Sequence, residues 1–262
     1  MDFTLRKYAR LCRAISQSGY TPVSFSDYLR RGRTSLKDKL IIFRHDVDRL
    51  PKTALRMAKI EKKFGINASY YFRIPYSWNK KIILSIANLG HEVGLHYECL
   101  DKAKGNFEKS AEILKKDLDK LRKLVTVTSV AMHGNPMTPF DNRDIWKHYD
   151  LKDFGLLGEV YLNMDFQKFL YYSDSGRTWD GRYNIKDTIP ITQKKINKPK
   201  FNNTEDIINF MSIDNRNLYI LTHPNRWSGS LLEWIYSYFS DLVINTGKLT
   251  FSAWNKFIEK KK

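Results

Sequence analysis

The sequence predicts an α/β protein in which parallel strands are covered by helices. Short runs rich in β-branched and aromatic residues alternate with longer segments of helical periodicity, an order that is typical of parallel sheets. A chain of 262 residues with 42% hydrophobic residues is long enough to bury a full core, and one α/β barrel of this length forms a single domain. Because we find no internal repeat or low-complexity linker, we expect one domain over 1–262.

The first part of the chain supplies most of the expected elements. A helix is expected over 2–18, and another from about Thr53 to Phe64 should end at Gly65, because glycine ends helices readily. A third helix has apolar residues at alternating spacings of four and three, which produces one buried stripe. These residues are Phe107, Ala111, Leu114, Leu118, Leu121 and Val125. The runs expected to be strands lie at 40–43, 68–72, 92–96, 127–132 and 218–221.

The alternation is interrupted between 150 and 200, where tyrosine, aspartate and glycine are frequent. We expect strands and loops added to the barrel there, over its mouth. A helix from Thr204 to Phe210 should precede the strand at 218–221. An aromatic-rich helix from Ser230 to about Ile244 then begins the C-terminal helices expected over 230–262.

Charge and cysteine content limit which partners and which cellular compartment we expect for the protein. A formal net charge of +17 would suit nucleic acid, an anionic membrane face or a phosphate-bearing substrate. The lysines are scattered along the whole chain, however, as on a solvated surface, so we expect no nucleic-acid partner. Two cysteines, Cys12 and Cys99, are too few for a disulfide framework. We expect neither a signal peptide nor a transmembrane segment, and therefore a cytoplasmic protein that could still dock on a membrane.

Ionisable residues follow four of the expected strands. Asp46 and Asp48 come after the first strand, His96 ends the third, His133 follows the fourth and His223 follows the last. In parallel α/β folds the C-terminal ends of the strands gather on one face, where ligands bind. We therefore expect these five side chains to converge.

The two aspartates suggest a metal site with a base beside it. Strand alternation places the carboxylates of Asp46 and Asp48 on the same side, where they would repel each other unless a cation is bound. If Asp48 binds the metal, Asp46 can act as an anionic base for water. The alternative is structural, because Asp48 could cap a helix that begins near Pro51.

Three segments resemble motifs of the polysaccharide deacetylases, the NodB-like carbohydrate esterase 4 family. Phe-Arg-His-Asp-Val-Asp-Arg at 43–49 is similar to the first motif of that family, and Gly-His-Glu-Val-Gly-Leu-His at 90–96 is similar to the second. Leu-Thr-His-Pro at 221–224 is similar to the last. The matches span about 40–225, in the order that the family has.

The resemblance implies a distorted (β/α)7 barrel and metal-dependent removal of acetyl groups from a sugar. It implies that Asp46 is the catalytic base and Asp48 a metal ligand, since the first motif of the family carries a base and then a ligand. It implies that His223 protonates the leaving group. The expected ion is a divalent metal, Zn²⁺ before other transition metals.

The sequence departs from the family at two places. The second histidine of the second motif is replaced by Leu100, and the arginine of the third motif, which orients the base, has no counterpart in Met-His-Gly-Asn-Pro at 132–136. We infer that His133 supplies the missing ligand, so that Asp48, His96 and His133 form a three-ligand site with open positions for water and substrate. The alternatives are completion of the site by Glu98, Cys99 or His223, or absence of the metal.

The sequence also suggests roles for His91 and for a set of residues near the last motif. His91 alternates with His96 along one strand, so both cannot face the same ion, and we expect His91 to pair with backbone. Residues with aromatic faces or charges around the last motif are candidates for contact with the substrate; they are Arg177, Trp179, Asp180, Arg226 and Trp227. The alternative for these five is an aromatic core cluster with an exposed ion pair.

The leading hypothesis is a cytoplasmic deacetylase of an amino sugar, whose carbohydrate substrate could be anionic, nucleotide-linked or lipid-linked, as in surface polysaccharide assembly. The second hypothesis keeps the site but changes the substrate to a cyclic amide or ureido compound. The third is a carbohydrate-binding protein that kept the barrel and lost the ion. The motifs specify neither the sugar nor the oligomeric state.

Overall fold

The expected strands and helices alternate along the chain. The computed structural model describes residues 1–32, 39–184, 186, 189 and 198–259, with the backbone alone for 248–259. The strands are β1 (Thr21–Val23), β2 (Leu40–Val47), β3 (Ser69–Phe72), β4 (Glu92–Tyr97), β5 (Ser129–Met132), β6 (Gly158–Glu159), β7 (Phe169–Ser173) and β8 (Asn217–Thr222). The helices are α1 (Leu5–Gln17), α2 (Phe25–Arg31), α3 (Pro51–Lys63), α4 (Lys80–Asn88), α5 (Cys99–Lys102), α6 (Phe107–Arg122), α7 (Thr204–Ile213) and α8 (Leu231–Glu259).

The strands form one parallel sheet that curls into a half-barrel. Its order is β6, β5, β4, β3, β2, β8 and β7, and β1 pairs with β2 outside this path. The predicted class, α/β with a distorted (β/α)7 barrel, is confirmed. Because all of these strands run in one direction, the C-terminal ends of β5, β4, β2 and β8 lie at the same edge of the sheet.

Local sequence explains where the helices begin. Proline at the first position of α3 needs no backbone hydrogen bond. The side chain of Asn106 accepts a hydrogen bond from the backbone of Lys109 at the start of α6. In α6 the predicted stripe is buried at Leu114, Leu118 and Leu121, which packs this helix against the sheet.

The stretch from 150 to 200 differs in one respect from the expectation. Its strands, β6 and β7, belong to the sheet itself and form its two ends instead of covering the mouth. Part of the stretch, 185, 187–188 and 190–197, lies outside the described residues. At the C-terminus the described chain forms a single long helix, α8, while 260–262 lie outside the description. None of the described helices has the length and apolar character that crossing a lipid bilayer requires.

A buried carboxylate joins α3 to the sheet. Glu61 is fully buried, and its Oε1 atom lies 2.6 Å from Nε2 of His45 on β2. The hydroxyl of Tyr70 donates to its Oε2 at 2.6 Å, and the hydroxyl of Tyr8 on α1 donates to Oε1. Burial alone would raise the pKa of Glu61, but the charge and hydrogen bond of His45 hold it below its ordinary value. The carboxylate is therefore anionic at neutral pH and ties α1, α3 and β2 together.

Replacement of Glu61 by alanine should lower the free energy of unfolding by about 3–5 kcal/mol, because it leaves buried partners without an acceptor. Urea denaturation followed by circular dichroism measures this loss, and Glu112→Ala on the exposed face of α6 is the matched control. Since the folded state lowers the pKa of Glu61, its contribution is complete above the unfolded pKa of about 4.3 and is lost as the pH falls further. Equal stability of the two variants at neutral pH would contradict the role of Glu61.

Candidate metal centre and active site

The polar strand ends meet in one cavity of about 340 Å³ at the C-terminal edge of the sheet. The five predicted residues all line it: Asp46, Asp48, His96, His133 and His223. The expected convergence is therefore observed, although His223 lies 177 positions after Asp46. Further lining residues that the sequence analysis did not assign include Arg49, Arg73, Tyr76, Asn225 and Asp241.

Asp48, His96 and His133 form a compact group of possible ligands, with one ligand atom from each residue and all three atoms within 4.8 Å of one another. The Oδ1 atom of Asp48 lies 3.4 Å from Nε2 of His96 and 3.6 Å from Nε2 of His133. The Nδ1 atom of His96 is 3.0 Å from the carbonyl oxygen of Ala131. Donation of its proton to this carbonyl leaves Nε2 with a free lone pair toward Asp48, the arrangement of a metal-binding histidine.

Three observations on these residues fit a bound cation. The Oδ1 atom of Asp48 is buried and has no hydrogen-bond partner among the described residues, and a ligand bond would satisfy it. Burial lowers the pKa of His133 to about 4, so its ring is neutral and able to coordinate. Burial alone would lower the pKa of His96 too, but the charges of Asp46 and Asp48 raise it. The field at this point therefore favours a positive charge.

The capping alternative for Asp48 is not observed. The residue that caps α3 is Leu50, and no side chain makes a capping hydrogen bond there. Burial alone would raise the pKa of Asp48, but the neighbouring imidazoles of His96, His133 and His223 hold it well below its ordinary value. Asp48 is thus an anionic side chain that faces the histidines instead of the helix.

Asp46 lies beside this group and is held by an arginine from its own strand. Arg44 donates two hydrogen bonds to the carboxylate of Asp46, from Nε at 2.8 Å and from Nη2 at 2.6 Å. Both side chains are buried. The Oδ2 atom of Asp46 is 3.7 Å from Nε2 of His96, so Asp46 and Asp48 share one face, as strand alternation predicts.

Arg44 supplies a contact that the sequence analysis had found missing. The arginine of the third family motif is absent at 132–136, yet a bidentate arginine holds Asp46 here from two positions earlier in β2. The sequence contains enough information to predict this contact, because residues two apart on a strand point to the same side. A bidentate pair fixes the orientation of a carboxylate.

His223 is held by a buried aspartate on the neighbouring strand end. The Nδ1 atom of His223 lies 2.6 Å from Oδ1 of Asp174, which follows β7. Arg226 and the indole of Trp227 also donate to Asp174, at 3.1 and 2.9 Å. Burial alone would raise the pKa of Asp174, but His223 and Arg226 lower it. The anionic Asp174 therefore orients the ring of His223 through Nδ1. The other ring nitrogen, Nε2, is the one that Asp174 does not contact.

Asp174 was missed by the sequence analysis, although a signal for it exists. It directly follows the run Phe-Leu-Tyr-Tyr-Ser at 169–173, which forms β7. The rule that singled out the other site residues, a polar residue at the end of an apolar strand, applies to it as well.

The remaining histidines and the alternative ligands lie outside the group of three. His91 accepts a hydrogen bond from the backbone of Ala68 at 3.2 Å and lies 3.1 Å from the carbonyl oxygen of Ala58. Its expected pairing with backbone is confirmed. Glu98 lies 3.5 Å from Nδ1 of His133, behind that ring, and burial raises the pKa of Cys99 to about 12, which disfavours a thiolate ligand.

The five candidates for substrate contact are placed differently. Within the described chain, only Arg226 of this set lines the cavity. Trp179 and Trp227 are 1% and 2% exposed and pack with Phe3, which corresponds to the alternative of an aromatic core cluster. Asp180 pairs with Arg182 on the surface.

Arg177 is turned away from the cavity as well. It donates to the carbonyl oxygen of Arg226 and to the hydroxyl of Ser237 on α8. This placement gives no support to substrate contact by Arg177, Trp179, Asp180 or Trp227, and their role stays a prediction. Arg226 reaches the cavity edge while its guanidinium holds Asp174.

Comparisons with known proteins find similar solved structures, two of which follow. No protein-family model matches the chain, and no curated protein has a matching sequence. The chain is similar to the Streptococcus pyogenes deacetylase PplD in complex with acetate, with 13% identity and a TM-score of 0.43, over 61% of this chain and 82% of that chain. It is also similar to a mutant of BA3943, a CE4 family pseudoenzyme with restored enzymatic activity, with 13% identity and a TM-score of 0.37, over 81% of this chain and 64% of that chain.

Proposed function

We propose that the chain is a divergent polysaccharide deacetylase, a metal-dependent hydrolase that removes an acetyl group from an amino sugar. The observation that carries the proposal is the meeting of three functional groups in one cavity. These are a carboxylate fixed by Arg44, the ligand group of Asp48, His96 and His133, and a histidine fixed by Asp174. Amide hydrolysis needs a base for water, an electrophile for the carbonyl and an acid for the amine.

Asp48, His96 and His133 would hold the ion. Two imidazole nitrogens and one carboxylate oxygen are the donor set of catalytic zinc sites, which leave further positions open. When bound, Zn²⁺ would act as a Lewis acid on the acyl carbonyl and would lower the pKa of water. The set therefore favours Zn²⁺ among the divalent metals.

The protein side chains move the protons. Asp46 accepts a proton from the attacking water, and Arg44 keeps its carboxylate in place. His223 donates a proton from Nε2 to the departing amine, while its Nδ1–H is directed at Asp174. Asp46 thus acts as the general base of the reaction and His223 as its general acid.

The substrate class follows from charge around the cavity. Arg49 is exposed at the cavity edge, whereas Arg73 and Arg226, which also line it, pair with Glu98 and Asp174. Together with a net charge of +17, the exposed Arg49 favours an amino sugar that carries phosphate or carboxylate, as an activated or lipid-linked precursor does. We place this reaction in the cytoplasm, in surface polysaccharide assembly.

Release of acetate from a panel of N-acetyl sugars by the zinc-loaded protein tests the proposal. Turnover should favour phosphorylated or acidic sugars and should weaken as salt rises, since the screening length falls to about 8 Å at physiological ionic strength. Hydrolysis of cyclic amides or ureido compounds without sugar turnover would identify the second substrate class instead. A purified protein without stoichiometric metal and without turnover would support the carbohydrate-binding alternative.

Replacement of Asp174 by asparagine should lower kcat by about tenfold to a hundredfold, the span for residues that orient a functional group. The metal content and KM should change little, because Asp174 touches neither the ligand group nor the open cavity. A loss of metal, or a rise in KM as large as the fall in kcat, would indicate a merely structural role.

A further inference from the structure

Helix α8 presents polar residues to the protein and apolar residues to solvent. On its inner face, Ser237, Asp241 and Asn245 are buried at a spacing of four. The hydroxyl of Ser237 accepts a hydrogen bond from Arg177, and Asn245 donates to the carbonyl oxygen of Gly176 at 3.0 Å. These contacts fix which face of the helix is turned toward the protein, and they therefore also fix which face is exposed to solvent.

The outward face carries a stripe of large apolar side chains. Leu232, Tyr236, Phe239 and Val243 follow one another at spacings of four, three and four, which aligns them along one side of a helix. They are between 60% and 79% exposed. A surface helix of a globular protein normally has the opposite polarity, and a contiguous exposed patch of this kind marks an interaction site. We call these four residues the outer stripe.

Helix α8 lies at the mouth of the cavity that holds the candidate site residues. Asp241 and Ile244 of α8 line that cavity, and Tyr236 shares a second cavity of about 570 Å³ with Leu50. Leu50 and Tyr76, which follow β2 and β3, are 51% and 61% exposed on the same edge of the sheet. The apolar surface thus continues from α8 to the rim of the mouth.

Cations surround this apolar surface. Arg49 and Lys52 flank Leu50, and Lys80 and Lys81 begin α4 beside the loop of Tyr76; all four are exposed. On α8 the described charges are compensated, because Glu233 pairs with Arg56 and Asp241 is buried beside Arg177 and Arg226. The surface therefore combines an apolar stripe with a positively charged rim.

We propose that the outer stripe and the rim dock on an anionic lipid bilayer, with α8 along the membrane surface and the cavity mouth facing it. A helix with one apolar face and basic neighbours binds at the interface of a bilayer, where nearby Lys and Arg side chains are attracted to anionic headgroups. A second copy of the chain fits less well, because two proteins of charge +17 repel each other. Docking needs only this surface and does not depend on the chemistry of the cavity.

Vesicle flotation of the full chain tests the docking surface. Vesicles of one part phosphatidylglycerol to two parts phosphatidylcholine should bind the protein, and vesicles of phosphatidylcholine alone should bind it more weakly. The double variant Phe239→Glu and Val243→Glu should weaken binding by more than about tenfold, since two apolar side chains that would insert into the bilayer are lost. Ile213→Glu is the matched control, because Ile213 is 85% exposed at the far end of α7 and should bind like the wild type.

Analytical ultracentrifugation without vesicles separates the bilayer from a second copy. The wild type should stay monomeric as its concentration rises. The proposal would be overturned if the wild type formed a dimer and the double variant did not. It would also be overturned if the double variant and the Ile213 variant bound vesicles equally well. The double variant should keep the metal and the turnover of a small soluble substrate, so that failure of docking and failure of the proposed deacetylase activity are distinguishable.

Discussion

Replacement of Asp46 by asparagine should leave the metal in place and lower turnover by about 10²–10⁴-fold, the usual span for general-base catalysis. Asparagine has nearly the same shape as aspartate but cannot accept a proton from water. The Oδ2 atom of Asp46 lies 3.7 Å from His96, close to the ligand group yet outside it. Replacement of the base and replacement of a ligand should therefore have different effects on metal binding.

Asp48→Asn is the matched control for Asp46→Asn, since it makes the same chemical change two residues later on the same strand face. Metal content by atomic emission, acetate release, and circular dichroism to check the fold should be measured on both variants. If Asp46 were the ligand and Asp48 the base, the two variants would exchange phenotypes. Near-normal turnover of Asp46→Asn with metal bound would contradict the mechanism at its central step.

The structure also limits which residue could replace Asp46 as the base. His45 is directed away from the cavity, toward Glu61 and the hydroxyl of Thr222 at 2.6 Å. His223 lines the cavity and would then be the remaining candidate. The neighbouring positions 45 and 46 thus have opposite surroundings, as expected for adjacent residues in a strand.

The sequence predicted the residues whose position depends only on strand order and alternation. Asp46, Asp48, His96, His133 and His223 end parallel strands of one sheet, and that alone brings them to one edge. His91 could be set apart because it alternates with His96. These inferences need no knowledge of packing between distant elements.

Contacts between distant elements could not be predicted in this way. Glu61 meets His45 through the docking of α3, and Asp174 meets His223 only because β7 and β8 are neighbours. Trp179 and Trp227 are aromatic residues near the last motif whether they face a sugar or the core, and only packing decides between the two. The inverted polarity of α8 likewise becomes visible only when its inner face is known.

Loss of a ligand should have the second large effect. Asp48→Ala and His96→Ala should each weaken zinc binding by more than about a hundredfold, since even residues that merely support a ligand contribute about tenfold to a hundredfold. Each variant removes one of the three atoms that lie within 4.8 Å of one another. Two remaining ligands cannot complete a catalytic site, which takes three from the protein.

His91→Ala is the control that distinguishes ligand loss from damage to β4. His91 lies in the segment that leads into the strand carrying His96, but its ring contacts the backbone of Ala58 and Ala68 on the other side of the sheet. Its removal should therefore cost stability and leave zinc bound at the wild-type stoichiometry. Titration with a chromophoric chelator measures the affinity of all three variants. Equal loss of zinc in His91→Ala and His96→Ala would show that the metal responds to the integrity of the strand instead of to a ligand, and the assignment of the centre to Asp48, His96 and His133 would then be wrong.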